Sequence, residues 1–83
     1  MRQKPLSSSR IVGANQVRKA LLKGRQGTFL FALDADPALT EPLLELARSN
    51  GSPAEEISTM RELGRLCGLE VGAAVAFDAL PLP

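Results

Sequence analysis

The sequence predicts an α/β fold in which helices cover both faces of a sheet. Segments with apolar residues at helical spacing alternate with short apolar runs bounded by Gly, Pro or Asp. The predicted order is helix, strand, helix, weak strand, helix and strand, which is typical of a layered α/β domain. A chain of 83 residues is expected to form one domain with a small core. We place this domain at residues 10–79, between a polar N-terminal tail at 1–9 and a C-terminal tail at 80–83.

A short strand at 10–13 and a helix at 15–23 are predicted to open the domain. Val17, Ala20 and Leu21 recur at helical spacing, which predicts that their face of the helix is buried. A glycine after the last turn is a suitable C-terminal cap for this helix.

A continuous apolar run at 27–33 follows, and it predicts a central strand that is buried on both faces. Asp36 is a favourable N-cap for the next helix, and Pro37 suits its first position. Pro42 argues against one straight helix from that point. We therefore expect a second helix start at Thr40, which keeps this proline in the first turn. An Asn-Gly pair then ends the helix.

The last third of the chain contains the weakest strand and the clearest helix start. Residues 52–57 include a proline and two glutamates, so a strand there is expected to be short and to lie at a sheet edge. Thr59 and Glu62 form a capping box that opens a helix. Gly64 in this helix is expected to allow close approach to the sheet. The apolar run at 71–77 predicts another central strand.

Composition excludes several classes of function. The chain has no His, Trp or Tyr and one cysteine, Cys67. This excludes histidine-based catalysis, a disulfide framework, a cysteine metal site and base stacking on a row of aromatics. We expect no cofactor. Because no apolar run could span a membrane and the N-terminus lacks the apolar core of a signal peptide, we expect a cytoplasmic protein with no membrane partner.

The net charge of +1 conceals a strong asymmetry along the chain. Residues 1–33 contain seven Lys or Arg and no acidic residue, whereas residues 34–83 contain three arginines and nine acidic residues. The two parts therefore carry +7 and −6. Such a confined basic cluster indicates a local surface that binds anions.

The exposed side of the first predicted helix gathers polar residues in its first turn. Asn15, Gln16, Arg18 and Lys19 point away from the predicted buried face. The same turn carries unpaired backbone N–H groups and the positive end of the helix dipole. Two amides, two cations and free N–H donors in one place suit a polyanion with readable base edges.

Three segments of the chain match a known family in order and spacing. They are Gly-Ala-Asn-Gln-Val-Arg-Lys-Ala at 13–20, Ala-Leu-Asp-Ala-Asp-Pro at 32–37 and Glu-Leu-Gly-Arg-Leu-Cys-Gly-Leu-Glu-Val-Gly-Ala-Ala at 62–74. Over residues 10–78 the chain resembles the ribosomal seven-Ae family of the large subunit, in particular its small bacterial members of the YbxF type. The resemblance implies a three-layer α/β/α sandwich with a four-stranded mixed sheet. It also implies binding to the RNA kink-turn, a sharp bend whose stem holds tandem sheared G·A pairs.

The resemblance further implies how residues act. Asn15 and Gln16 would meet guanine edges, Lys19 a guanine carbonyl or the backbone, and Arg18 a phosphate. The loop at 69–71 would supply an apolar wedge against looped-out nucleotides. The partner would be structured RNA, with ribosomal RNA a candidate, and no catalysis is implied. The sequence does not fix the oligomeric state, and a monomer is the default expectation. The expected RNA-binding residues are Gly13, Asn15, Gln16, Arg18, Lys19, Lys23, Leu69, Glu70 and Val71.

Two other hypotheses remain open at this point. Archaeal family members have Glu where this chain has Gln16, and Gln has only one acceptor oxygen, so the fold could serve as a protein-interaction scaffold that has lost RNA binding. Asp34 and Asp36 could form a metal pair or a phosphoacceptor site, although helix capping also explains them. Cys67 lies on the apolar helix face, which predicts a buried inert thiol.

Overall fold

Four strands and three helices alternate along residues 9–81, the part of the chain that this computed structural model describes. Residues 1–8 and 82–83, most of the two predicted tails, lie outside the described part. None of the helices in residues 9–81 is long and apolar enough to cross a membrane. The elements in chain order are β1 (Ser9–Val12), α1 (Ala14–Leu22), β2 (Gly27–Ala32), α2 (Pro37–Ser49), β3 (Ala54–Ile57), α3 (Met60–Leu66) and β4 (Val75–Ala79).

The four strands form one mixed sheet in the order β1-β4-β2-β3. β4 runs antiparallel to both β1 and β2, whereas β2 and β3 run parallel. β1, β2 and β3 therefore finish at the end of the sheet where β4 starts, which we call the upper end. Because each of these three strands is followed by a helix, α1, α2 and α3 all begin at the upper end.

The sheet face covered by α1 and α2 holds one of two cores. Buried residues recur every three or four positions on both helices, as expected for amphipathic helices that pack on a sheet. The two aromatic rings at its centre come from paired positions of β2 and β4 and are fully buried. The buried members of this core are Val17, Ala20, Leu21, Phe29, Leu43, Ala47, Val75, Phe77 and Ala79.

The opposite face is covered by α3 and holds the second core. Leu63, fully buried, is the residue of α3 that packs into it. β2 contributes to both cores, because Phe29 belongs to the first and Leu30 and Ala32 to the second. The prediction of a central strand buried on both faces is thus confirmed. Helices on both faces of a four-stranded mixed sheet make the three-layer α/β/α sandwich that the sequence predicts.

The predictions for the weak strand and the third helix are also confirmed. β3 has four residues and lies at the edge of the sheet beside β2, with only Ile57 buried. Thr59 caps α3, since its hydroxyl accepts from the backbone N–H of Glu62 at 3.0 Å. The reciprocal bond of the predicted capping box, from the N–H of Thr59 to the carboxylate of Glu62, is not observed in residues 9–81. That carboxylate instead lies 3.7 Å from Arg65.

The predicted break in the second helix is wrong, because α2 runs without interruption through Pro42. The side chain of Asp36 caps this helix by accepting from the backbone N–H of Ala38 at 3.0 Å. The helix therefore starts after Asp36 and not at Thr40. Thr40, the expected second start, is buried inside the helix. Pro42 removes one hydrogen bond, to the carbonyl of Ala38. Since Ala38 is exposed, water can bond to that carbonyl instead.

The predicted start of the last strand is also wrong. β4 begins at Val75 and extends to Ala79, whereas the apolar run predicts a strand at 71–77. Residues 69–74 form a loop along α3, and Ala73 donates to the carbonyl of Met60 at 2.9 Å. A run of small apolar residues does not distinguish a strand from a loop that is packed against a helix.

Candidate nucleic-acid interface

The start of α1 carries no side-chain cap in the described structure. Gly13 occupies the N-cap position with φ 100° and ψ 144°, a conformation that other residues rarely adopt. Its carbonyl accepts from the N–H of Val17 at 2.9 Å. Within residues 9–81 the N–H groups of Ala14, Asn15 and Gln16 have no hydrogen-bond acceptor. These donors lie at the positive end of the helix dipole.

The polar side chains of the first two turns of α1 surround these donors. Asn15, Gln16, Arg18 and Lys19 are all exposed, whereas Val17 between them is fully buried. α1 contains no acidic residue, and neither Arg18 nor Lys19 forms an ion pair in residues 9–81. Their charges therefore remain available to a ligand.

The exposed residues of α1 divide between two grooves. Asn15 and Arg18 face α2 and line a groove of about 350 Å³ whose other wall is mostly apolar. On the opposite side, the cations of α1 line a second groove of about 170 Å³ beside β1. We call this second surface the β1–α1 groove. Its lining residues are Ile11, Gln16, Lys19, Ala20, Lys23 and Arg25.

The loop at 69–71 presents its side chains to solvent. Val71 is 71% exposed and Leu69 is 37% exposed, and Glu70 between them is also exposed. The backbone of the same loop is held firmly, because Leu69 donates to the carbonyl of Gly64 at 2.8 Å. Apolar side chains on a fixed backbone suit contact with a flat apolar surface such as a base.

Gly64 allows a close approach, but to this loop and not to the sheet as expected from the sequence. A Cβ atom at position 64 would lie 2.0 Å from the carbonyl oxygen of Val71 and 3.0 Å from the Cα of Gly72. Any side chain at this position would therefore push the loop away from α3. The glycine sets where Leu69 and Val71 are presented.

The start of α1 and the end of this loop meet at the upper end of the sheet. The N–H of Gly13 points to the carbonyl oxygen of Val75 at 3.4 Å, and Val75 is the first residue after the loop. Lys23 lies apart from the start of α1, because eight residue steps along the helix place it about 12 Å from Asn15. The contact thus joins the start of α1 to the residue that follows the 69–74 loop, and Lys23 lies at the far end of α1.

The two aspartates considered as a metal or phosphoacceptor pair each cap a different helix. Asp34 accepts from the backbone N–H of Met60, the first residue of α3, at 2.7 Å. Asp36 accepts from the backbone N–H of Ala38 in α2 at 3.0 Å. Residues 9–81 contain no group of three or more His, Cys, Asp or Glu side chains that could hold a metal ion. The capping interpretation therefore accounts for both carboxylates.

Cys67 lies half-buried at the end of α3. Burial raises the pKa of its thiol, the Arg10 guanidinium lowers it to a lesser degree, and the Asp78 carboxylate raises it slightly. The net direction is upward, so the thiol is held in its neutral and less reactive form. This agrees with the prediction of an inert thiol, although the residue is less buried than expected.

Two residues of the surface are absent from the sequence prediction. Arg25 lies three residues beyond the end of α1 and forms part of the β1–α1 groove. Leu33 follows β2 at the upper end and is 57% exposed, whereas the predicted strand includes it. The excess of basic residues before position 34 was the available signal for Arg25, but only the tertiary structure places it beside Lys23.

Comparison with known proteins gives consistent results for sequence and fold. The profile of the Ribosomal protein L7Ae/L30e/S12e/Gadd45 family matches residues 4–79. An RNA-binding protein of Caldanaerobacter subterraneus is 39% identical over 71 residues, which cover 86% of this chain and 87% of that protein. The RNA-binding protein YbxF of Geobacillus stearothermophilus is 33% identical over 73 residues, which cover 87% of this chain and 89% of that protein.

The fold is similar to that of a solved RNA-binding protein. The solved structure of the Giardia lamblia 15.5kD RNA binding protein superimposes with a TM-score of 0.79 and 29% sequence identity. The match covers 86% of this chain and 60% of that one, so this chain spans less than two thirds of the solved protein. Sequence and architecture agree that the chain belongs to the Ribosomal protein L7Ae/L30e/S12e/Gadd45 family.

Proposed function

We propose that this chain is a non-catalytic RNA-binding protein that recognises kink-turn or kink-like RNA through its sheared G·A pairs. The observation that carries the proposal is the open start of α1. There, backbone N–H donors without acceptors in residues 9–81 lie beside two exposed amides and two exposed cations. Membership of a family whose relatives include named RNA-binding proteins supports the same class of ligand.

Sheared G·A pairs present base edges that the donors at the start of α1 can bind. A regular A-form helix hides its base edges in a deep and narrow groove, whereas a sheared pair turns those edges outward within reach of a helix terminus. Asn15 and Gln16 each offer a donor and an acceptor in one plane, which suits the edge of a guanine. Arg18 and Lys19 bind phosphates or a guanine carbonyl and so fix the position of the helix on the RNA.

The loop at 69–71 provides the second contact. Leu69 and Val71 pack against the looped-out nucleotides of the bend, and Glu70 lies at the rim of the contact. Because the loop backbone is already held against Gly64, little conformational entropy is lost when the RNA binds. The polar helix start therefore selects the base pairs, and the apolar loop stabilises the bend beside them.

The remaining parts of the proposal follow from this mode of binding. The protein acts as a cytoplasmic monomer without a cofactor, and ribosomal RNA is a natural candidate target because the family includes ribosomal proteins. No catalytic step is proposed, since both candidate carboxylates are engaged as helix caps.

A gel-shift comparison of two RNAs tests the proposal. One RNA carries a kink-turn, and the other has the same sequence with its G·A pairs changed to Watson–Crick pairs. We expect tight binding to the first RNA and weak binding to the second. Equal affinity for both would contradict the proposal, and it would favour a protein-interaction role if a partner protein then co-purified after nuclease treatment.

Two substitutions separate base reading from phosphate binding in the same assay. Asn15→Ala should weaken binding to the kink-turn RNA by about 1–3 kcal/mol and reduce the preference over the Watson–Crick RNA. Arg18→Ala should weaken binding to both RNAs alike and lower the salt dependence of the affinity. If the two variants gave the same pattern, Asn15 would not read a base edge.

A further inference from the structure

The β1–α1 groove carries positive charge from the first turns of α1 to beyond its C-terminal end. Lys19, Lys23 and Arg25 supply three of its six lining residues, and none of the six is acidic. Lys19 and Lys23 are four positions apart on the helix, which separates them by about 6 Å along the axis. This separation is comparable with that of neighbouring phosphates along one nucleic acid strand. None of the three cations forms an ion pair in the described residues.

Arg25 is held in place at three points. Its backbone N–H donates to the carbonyl of Ala20 at 3.0 Å, and its own carbonyl accepts from the Nδ2 of Asn50 at 2.7 Å. Its guanidinium donates to the carbonyl of Leu80 at 3.3 Å. Two of these contacts fix the backbone of Arg25, and the third directs its guanidinium toward Leu80.

The guanidinium of Arg25 nevertheless retains unused donors. Its Nε is buried and has no hydrogen-bond partner in the described structure. A guanidinium has five N–H donors arranged to meet planar or tetrahedral oxyanions. The Nε itself is out of reach of a ligand, but the terminal nitrogens of the guanidinium carry further N–H donors that a charged acceptor in the groove can meet.

We propose that the β1–α1 groove holds the sugar–phosphate backbone of one RNA stem, with Arg25 as an oriented phosphate ligand beside Lys19 and Lys23. This inference rests on the proposed function, because the start of α1 must first place the bend. The opposite groove, between α1 and α2, is mostly apolar and carries only Arg18 as a cation. The two flanks of α1 are thus unequal, and the flank beside β1 grips the phosphates of one stem.

The salt dependence of binding tests this inference. Affinity for the kink-turn RNA is measured over a series of KCl concentrations for wild type, Lys23→Gln, Arg25→Gln and the double variant. Log affinity falls as log salt concentration rises. Each lost phosphate contact should make this negative slope shallower by roughly 0.7–0.9. The double variant should therefore lose roughly twice that amount. A slope equal to that of the wild type would overturn the inference.

Two further variants control for general effects. Arg65→Gln removes a cation from α3 on the other face of the sheet and should leave the slope unchanged. Arg25→Lys keeps the charge and should retain most of the slope. An equal loss of slope in Arg65→Gln would overturn the inference, because it would indicate a general response to net charge.

The RNA partner is varied in the same way. Kink-turn RNAs with one or the other stem shortened are compared for wild type and the double variant. Shortening the stem that lies in the groove should abolish the difference between the two proteins, whereas shortening the other stem should preserve it. A difference that survives both truncations would overturn the inference. Failure of the proposed function is distinguishable, since it appears as equal wild-type affinity for kink-turn and Watson–Crick RNA.

Discussion

Three helices begin at the same end of the sheet, but in the described residues side chains close only two of these starts. α2 is closed by Asp36, and α3 is closed by Asp34 and Thr59 together. The N-cap of α1 is Gly13, which has no side chain to accept a hydrogen bond. The side chains around the helix starts differ as well. Exposed amides and cations flank the start of α1, whereas carboxylates lie at the starts of α2 and α3.

The capped helix starts and the open start therefore serve different purposes, the first two stabilising the fold and the third binding a ligand. A carboxylate at a helix start satisfies N–H donors and complements the dipole, so it stabilises the fold and repels an anion. An open start leaves the donors and the positive field to a ligand. The two closed starts are therefore expected to respond to mutation through stability, and the open start through RNA affinity.

The largest effect should come from the contact that fixes the loop at 69–71 against α3. Gly64→Ala places a methyl group 2.0 Å from the carbonyl oxygen of Val71. We expect the free energy of unfolding to fall by about 1–3 kcal/mol in urea denaturation, with weaker RNA binding as the loop moves. Without the clash, Gly→Ala inside a helix would stabilise by about 1 kcal/mol, and that outcome would contradict the observed packing.

The closed starts should respond next. Asp34→Ala leaves the first N–H of α3 without its acceptor and should lower the free energy of unfolding by about 0.5–2 kcal/mol. Asp34→Asn retains an acceptor oxygen and should lose less. Asn15→Ala at the open start should change stability by less than about 0.5 kcal/mol. Urea denaturation of the three variants checks this, and an equal loss for Asn15→Ala would remove the distinction.

A smaller effect is expected when the open start is given a carboxylate. Gln16→Glu places a negative charge in the first turn of α1 and should stabilise the helix by about 0.3–1 kcal/mol. A carboxylate also accepts from two donors of a guanine edge at once, so the preference for kink-turn over Watson–Crick RNA should increase. Thermal unfolding and gel shifts measure the two effects. A weaker preference would place this side chain against phosphate and not against a base.

The smallest effect concerns Cys67, far from the closed starts. Its pKa is raised by burial, so the folded state disfavours the thiolate. Its contribution to stability is therefore complete below the pKa of the unfolded thiol and is lost as pH rises through the folded value. Alkylation by iodoacetamide at pH 8 should be slower in the folded than in the urea-unfolded protein. Equal rates would contradict the inert thiol.

Much of the fold could be predicted because its local signals agree with its tertiary contacts. The helical spacing of Val17, Ala20 and Leu21 identified a buried face, and these residues lie in the first core. Asp36 and Thr59 identified two helix starts through side-chain chemistry that operates over three residues. Alternation of helices and strands was sufficient to predict the layers.

The errors occurred where distant residues decide the outcome. Pro42 lies within α2 because a strong cap and a buried helix face outweigh one lost hydrogen bond. The apolar run after Glu70 is a loop because Gly64 brings α3 close to its backbone. For the candidate site, the exposure of Asn15 and Gln16 followed from helical periodicity. The place of Arg25 instead depends on bonds to Asn50 and Leu80, which are distant in sequence.

Amide chemical shifts during titration with kink-turn RNA test most directly whether the open start binds the ligand. In ¹⁵N-labelled protein, the amides of Ala14, Asn15 and Gln16 should show the largest changes, because they gain acceptors. The amides of Ala38 and Met60, already bonded to carboxylates, should change least among the three helix starts. Large shifts at Ala38 and Met60 with none in the first turn of α1 would contradict the account.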